Sequence, residues 1–445
     1  MGINKVDQKS FGYKLIFSIL KLWHSFYYYH KIEISHNERV PKKGAIIFTP
    51  NHQNALNDAL ALLFSTNKTL VFLARADIFK IKILAEILYY FRMLPVFRPR
   101  DGHSEVKKNQ DTFDKTTEVL QKNLGLAIFP EGNHGDQHHL RSLKKGFARI
   151  AYQTEEGNDY QLDIKILPVG IHYSNYHNRH SILSIVYGHP FSLSEFYEDY
   201  KANPAIAYNK ASEKLSEEMK KYMVHIENDQ YYETIDFLQS VYAPEILGSD
   251  YINYTNKIES SKKAISKIQE FKEVHRFDFW NLHQETSNFL ADAKSLNFEA
   301  KELLIRWKPK LFMLQCLIAI ILSPLIIISH IITIIPAVFS NLVTIPIKDL
   351  QFKSTIKFVA SLVLFILFFV IELIIYNSTI AYPWYYFLII YLLSIFFLAR
   401  TGAWQRRLFN RIKLQFLKLF KPKHILDLQM NISKIETHIL NISQK

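Results

Sequence analysis

The feature that most restricts this chain is a run from Leu311 to Ile347 without a single Asp, Glu, Lys or Arg. One perpendicular crossing of a bilayer takes roughly 20 residues, so the run is too long for one pass. Pro324 and Pro336 fall inside it, and a bent helical hairpin that re-enters or crosses twice is expected. Two more apolar spans, Phe358 to Tyr376 and Ile380 to Ala399, are joined by the uncharged Asn377-Ser378-Thr379. Glu372 lies within the former and is expected to snorkel to the nearby membrane edge. Arg306, Lys308 and Lys310 precede the first run, Lys348, Lys353 and Lys357 follow it, and Arg400, Arg406, Arg407 and Arg411 follow the last span. Cations mark the cytoplasmic side, so both ends of the first run and the tail are expected there, in an integral membrane protein.

The charge of the whole chain agrees with that setting. A net charge of +13 suits nucleic acid, an anionic membrane or phosphorylated substrates. No zinc-finger spacing, RNA-recognition signature or basic zipper is present, so membrane lipids rather than nucleic acid are the expected partner. The one cysteine, Cys316, excludes an internal disulfide and a cysteine-based metal site. Near the N-terminus, Phe11 to Tyr29 mixes aliphatic residues with Lys14, Lys21, Trp23 and Tyr27-Tyr28-Tyr29. It reads as an interfacial helix without a cleavable signal, or else as a helix packed on the domain that follows. Beyond the last span, Leu408, Phe409, Ile412, Phe416, Leu419 and Phe420 among basic residues suit a helix lying on anionic lipid, with packing on the preceding helices as the alternative.

From about His36 to Tyr200, short apolar runs alternate with helical patterns. The runs are Ala45–Phe48, Leu70–Leu73, Leu94–Phe97, Leu126–Phe129, Ile164–Leu167 and Ile182–Val186; Val106, Gln110, Phe113, Thr117 and Leu120 are spaced as a helix. This alternation predicts an α/β domain with a mainly parallel sheet flanked by helices. Residues 204–310 are charged, rich in tyrosine and helical in period, without a catalytic pattern.

Two polar blocks end predicted strands. Thr49-Pro50-Asn51-His52-Gln53-Asn54-Ala55-Leu56-Asn57-Asp58 stands at a strand-to-helix turn, the place where open α/β sheets hold ligands. A histidine there can accept a hydroxyl proton, and a carboxylate can fix its tautomer. Taken alone, such a pair could equally be a helix cap or surface residues. Ile128-Phe129-Pro130-Glu131-Gly132-Asn133-His134 ends another strand and should bring Glu131 to the same edge as His52. His138, His139, Arg141, Lys144 and Lys145 follow, leading into a helix from Lys145 to Tyr152. These cations suit phosphate recognition or form a solvated basic loop. A zinc site from His134, His138 and His139 would need a helix, whereas Gly135-Asp136-Gln137 reads as a turn, so no metal is expected.

Together, Asn51-His52-Gln53 with a downstream Asp58, then Phe129-Pro130-Glu131-Gly132, resemble the glycerol-phosphate and lysophosphatidate acyltransferase family. Met93-Leu94-Pro95-Val96-Phe97-Arg98 and Leu167-Pro168-Val169-Gly170-Ile171 resemble two further blocks of it, in family order between Lys43 and Pro190. The resemblance implies transfer of a fatty acyl group from acyl-CoA or acyl carrier protein to glycerol-3-phosphate or 1-acylglycerol-3-phosphate, without a cofactor. It implies that His52 is the general base, that Asp58 holds it, that Glu131 and Gly132 shape the acceptor site, and that Arg98 binds the acceptor phosphate.

Two departures from the pattern bear on specificity. Five residues rather than four separate His52 from Asp58, which is similar to the fungal-type glycerol-3-phosphate or dihydroxyacetone-phosphate branch. Asn133-His134-Gly135 stands where the family has Thr-Arg-Ser, leaving Arg141, Lys144 or Lys145 to supply a cation. Another lysolipid or an aminoacyl lipid as acceptor, or a non-catalytic membrane scaffold, are the alternatives. The expected division is an N-terminal interfacial helix (1–35), the acyltransferase domain (36–203) on the cytoplasmic face, a helical connector (204–310), a membrane domain (311–402) and a basic amphipathic tail (403–445).

Overall fold

Apolar runs become strands when both sheet faces are covered, and each run named above does so. The computed structural model describes residues 6, 11–97, 109–135, 137–176, 179–253, 256–304, 308–380 and 382–443. Its strands are β1 (Tyr29–Ser35), β2 (Ile46–Pro50), β3 (Leu70–Arg75), β4 (Met93–Val96), β5 (Gly125–Ala127), β6 (Lys165–Tyr173), β7 (Ser181–Tyr187) and β8 (Phe191–Ser192). They form one sheet in the order β1-β7-β6-β2-β5-β3-β4, with β8 beside β6. Pairing is parallel except where β7 and β8 run antiparallel to β6.

Side chains alternate across the strands and build two cores. Ile47, Leu126 and Ile166 point to one face, against the helices Asn109–Gln121, Gly146–Glu156 and Pro204–Tyr222. Ile46, Phe48, Ala127 and Leu167 point to the other, with the helix Leu56–Ser65, Tyr28, Tyr29 and Phe358. Gly170 permits a close approach on β6. A Cβ there would lie 1.6 Å from the carbonyl oxygen of Tyr222, so no larger residue fits under the end of that helix.

The sheet begins earlier than the 36–203 division expects. The N-terminal helix runs from Phe11 to Leu22, continues as a π-helical turn over Trp23–Tyr28, and passes directly into β1. Residues 29–35 therefore belong to the sheet rather than to an interfacial helix. The helix Pro204–Tyr222, expected in the connector, packs on the sheet instead, and residues 224–303 surround a core of their own with residues such as Leu238, Ile268, Leu282 and Phe289.

Among the described residues, three helices are long and apolar enough to cross a membrane: Ser323–Leu342, Phe352–Thr379 and Trp384–Phe420. The first apolar run breaks at Leu322, ahead of Pro324, into the shorter helix Pro309–Ile321 and Ser323–Leu342. Residues 403–420 differ from the expected separate tail, because they continue the helix that starts at Trp384 without interruption. The last helix, Pro422–Ser443, inserts Ile425, Leu428, Ile435, Ile439 and Ile442 into the connector core. The residues on which the lipid-lying reading rests are divided: Leu408 is buried, whereas Phe409, Phe416, Leu419 and Phe420 are exposed. Glu372 is half-buried, and its Oε2 is enclosed without a hydrogen-bond partner among the described residues.

Candidate active site

Strands β6, β2 and β5 are consecutive, parallel neighbours. Their carboxyl ends therefore converge, and each delivers one part of the site. After β2 come Asn51 to Ala55, including His52. After β5 comes the loop with Glu131, and β6 ends on Tyr173.

His52 Nδ1 lies 2.8 Å from Asp58 Oδ2. Asp58 sits in the first turn of Leu56–Ser65, and its side chain is completely buried whereas that of His52 keeps 15% exposure. The longer spacing is accommodated because the loop doubles back before the helix. Ala55 takes up the turn with φ of 45°, and Asp58 Oδ2 accepts the backbone N–H groups of Gln53 (2.8 Å) and Asn54 (2.7 Å). Tyr173 donates its hydroxyl to Oδ1 at 2.7 Å. Burial, and then the charge of Asp58, pushes the Tyr173 phenol well above its usual range, so it remains a donor. A carboxylate offers acceptors alone, so Nδ1 carries the imidazole proton and Nε2 presents its lone pair. The ring is fixed by stacking on Phe129 at a centroid distance of 4.1 Å.

Glu131 is brought to His52 by its backbone. Oε1 accepts the His52 N–H at 2.8 Å, and Oε2 accepts Arg141 Nε at 2.9 Å. The guanidinium of Arg141 also donates to the carbonyls of His134 (2.6 Å), His52 (3.1 Å) and Asn133. Both groups thus hold the two loops together. Arg141 does enter the loop Asn133-His134-Gly135, but it grips the loop from within. Gly132 has φ of +68°, the left-handed region that favours glycine, and the stem of Lys144 passes directly over it. Lys144 and Lys145 are exposed beside this turn. Arg98 lies outside the described residues.

The three histidines weighed for zinc go separate ways. His134 Nε2 faces Asp349 Oδ2 at 3.2 Å, His138 Nδ1 faces Asp236 Oδ1 at 2.7 Å, and His139 Nδ1 donates to the Ile226 carbonyl at 2.9 Å. Burial lowers the His134 imidazole below its usual range, opposed by its bond to Asp349. Among the described residues, His139, His225 and Glu227 form a trio with ligand atoms close enough for a metal. In the structure these atoms are hydrogen-bonded: His225 Nδ1 accepts the Leu140 N–H at 3.0 Å, and Nε2 faces Glu227 at 3.1 Å.

Sequence reasoning missed Tyr173 and the apolar helix Phe352–Thr379 as parts of the site. Asn57 does not face His52; its Nδ2 donates to Ser354 Oγ at 2.7 Å. The Leu56 N–H donates to Thr355 Oγ1 at 3.2 Å, and Phe352 meets the His134 ring at 4.8 Å. The only sequence signal for Tyr173 was its position, a polar-tipped residue at the carboxyl end of a buried strand.

A buried carboxylate, a histidine with one open nitrogen and a cationic loop at the carboxyl edge of a parallel sheet define a hydroxyl-activating transferase or hydrolase site. Comparison with known proteins narrows this class. The family described as Acyltransferase matches residues 31–172. A chloroplast 1-acyl-sn-glycerol-3-phosphate acyltransferase of Arabidopsis thaliana is 31% identical over 139 residues, 31% of this chain and 37% of that protein. A glycerol-3-phosphate O-acyltransferase of Saccharomyces cerevisiae is 27% identical over 139 residues, 31% of this chain and 18% of that protein. The crystal structure of the 1-acyl-sn-glycerophosphate acyltransferase PlsC from Thermotoga maritima is 19% identical, with a TM-score of 0.33 over 47% of this chain and 79% of that one. Residues 31–172 are thus an acyltransferase-family domain, and they contain each of the site residues predicted from sequence.

Proposed function

We propose that the chain is a membrane-bound glycerolipid O-acyltransferase that acylates glycerol-3-phosphate or 1-acylglycerol-3-phosphate from acyl-CoA or acyl carrier protein. The observation that carries this reading is the His52–Asp58 pair at 2.8 Å with the far ring nitrogen left open. In the reaction, Nε2 takes the proton of the acceptor hydroxyl as its oxygen attacks the thioester carbonyl. The buried Asp58 stabilises the imidazolium that forms. Collapse of the tetrahedral intermediate breaks the C–S bond, and the imidazolium returns its proton to the departing thiolate. A thiolate is an adequate leaving group, so the chemistry asks for orientation and fixed dipoles rather than a cofactor. Lys144 and Lys145, with Arg98, are the cations proposed for the acceptor phosphate. The flanking lysines and arginines support a catalytic domain on the cytoplasmic face.

A second acceptor class, another lysolipid or an aminoacyl lipid, is favoured by the loop Asn133-His134-Gly135, whose internal cation Arg141 is already occupied. The deciding experiment incubates the purified full chain with one labelled acyl thioester and each acceptor in turn, identifying products by mass. O-acylated glycerol phosphate is the expected product. Transfer to other lipids with no transfer to, or inhibition by, glycerol phosphates would replace the acceptor. No transfer to any acceptor would remove the enzymatic reading.

A further inference from the structure

A cavity of about 750 Å³ lies where the apolar helices meet the sheet domain. His52, Asp58 and Glu131 are not among its lining residues. Its wall is of two kinds. It carries the cations Arg179, Lys357 and Arg406, together with apolar side chains from the two long apolar helices such as Ile334, Val338 and Leu398. No Asp or Glu lines it.

The cations are held in place but not neutralised. Arg179 donates to the Tyr27 hydroxyl and lies over that ring at 5.1 Å. Arg406 donates to the carbonyl of Arg179 at 3.0 Å. Among the described residues no carboxylate pairs with either arginine, and Lys357 has no hydrogen-bond partner. The chain also keeps this corner tight: a Cβ on Gly402 would lie 2.7 Å from the His180 ring. His180 reports the local field. Burial first, and then the charges of Arg179, Arg406 and His30, push its imidazole down to about 3.

Three cations gathered without a counter-charge repel one another unless an anion completes the set. An apolar continuation between membrane-spanning helices states what the rest of that anion should be. We propose that this cavity binds one anionic phospholipid of the bilayer, with its phosphate against Arg179, Lys357 and Arg406 and its acyl chains along Ile334, Val338 and Leu398. The volume lies within the roughly 300–1,000 Å³ of ligand sites, enough for the headgroup, glycerol and upper acyl chains while the chain ends reach the bilayer. Lys357 stands one turn beyond Ser354 and Thr355, which bond Asn57 and Leu56 at the catalytic helix. The lipid therefore fastens the membrane helix that braces the His52 loop. The proposal rests on the membrane reading and is independent of acyl transfer, since binding is read without turnover.

The test uses the purified full chain in detergent, with phosphatidylglycerol, phosphatidylcholine and inorganic phosphate as probes, and follows occupancy by native mass spectrometry and thermal unfolding. Phosphatidylglycerol should bind one-to-one and raise the midpoint, at least about tenfold more tightly than phosphatidylcholine. Arg179→Gln with Arg406→Gln should remove that preference, and Arg179→Lys with Arg406→Lys should retain most of it. Ala337→Trp, which fills the apolar wall and leaves the cations in place, should also lose the lipid. Arg407→Gln, exposed and outside the lining, should change nothing. Equal binding of the two lipids to the wild-type chain would overturn the proposal even if the double variant failed to fold. So would equal losses in Arg407→Gln and the double variant, or displacement of the lipid by phosphate at matching concentration, which would make this a simple anion site.

Discussion

At the scale of single residues, chemistry and positioning are divided between neighbours that look alike in sequence. His52 and Asp58 share one hydrogen bond, and the oxygen that makes it, Oδ2, is saturated because Gln53 and Asn54 also donate to it, while Tyr173 donates to Oδ1. Asp58→Asn should therefore cost more than a charge: its amide would face two backbone donors and favour the wrong imidazole tautomer. Turnover should fall by about a hundred- to ten-thousand-fold with the fold retained, measured as kcat beside a circular-dichroism melt. Arg141 and Lys144 make the opposite pair. The guanidinium of Arg141 is spent on Glu131 and the carbonyls of His52, Asn133 and His134. Arg141→Lys keeps the charge and loses the fork, so kcat should drop by about tenfold while KM for the phosphorylated acceptor holds. Lys144→Ala should do the reverse and raise KM. A rise in KM for Arg141→Lys alone would return Arg141 to the substrate. The sequence could propose these cations together, since a basic stretch after a turn looks the same whether it meets phosphate or carbonyl oxygen. Only the folded loop separates them.

At the scale of elements, the continuous apolar strands were legible, including the edge strand β4, and the polar edge strand β1 was not. Ala45–Phe48 and Leu126–Phe129 are continuous apolar runs because both cores use them. β1 reads Tyr-His-Lys-Ile-Glu-Ile-Ser and pairs with β7 alone, so its polar positions hid it behind the aromatic helix before it. The joint between that helix and β1 contains a second hidden feature, His24. Both of its ring nitrogens are buried without partners, among Tyr29, Phe64 and Phe358. Burial lowers its imidazole from near 6.5 to about 3. Below pH 6.5 the unfolded chain binds a proton that the folded chain refuses, so stability is full above that pH and is lost as pH falls toward 3. His24→Phe keeps the ring packing and should flatten this acid-side fall in a series of thermal melts; an unchanged slope would show that His24 is not its source. The apolar helix Phe352–Thr379 is anchored by equally specific contacts. Ser354→Ala would leave the buried Asn57 amide without its acceptor and should cost roughly 1–3 kcal/mol in unfolding free energy.

At the scale of the whole molecule, the sheet domain and the apolar helices are built into each other rather than tethered. Phe358 belongs to the sheet's own core, Asp349 and Phe352 touch His134, and Ser354 and Thr355 hold the catalytic helix. None of this was legible in sequence, because residues about 300 positions apart carry no shared pattern. The order of the motifs and the spans was legible, since each is a local run. The tail was legible only as two alternatives, and the core around Leu238 and Ile435 is what its last helix covers. The proposed function has the acceptor meet His52 where the apolar helices join the sheet domain. The most direct test is single-turnover acyl transfer by the purified full chain, comparing wild type with His52→Ala at matched folding. Transfer by the wild type and a fall of about a hundred- to ten-thousand-fold in the variant are predicted; equal rates in the two proteins would contradict the account.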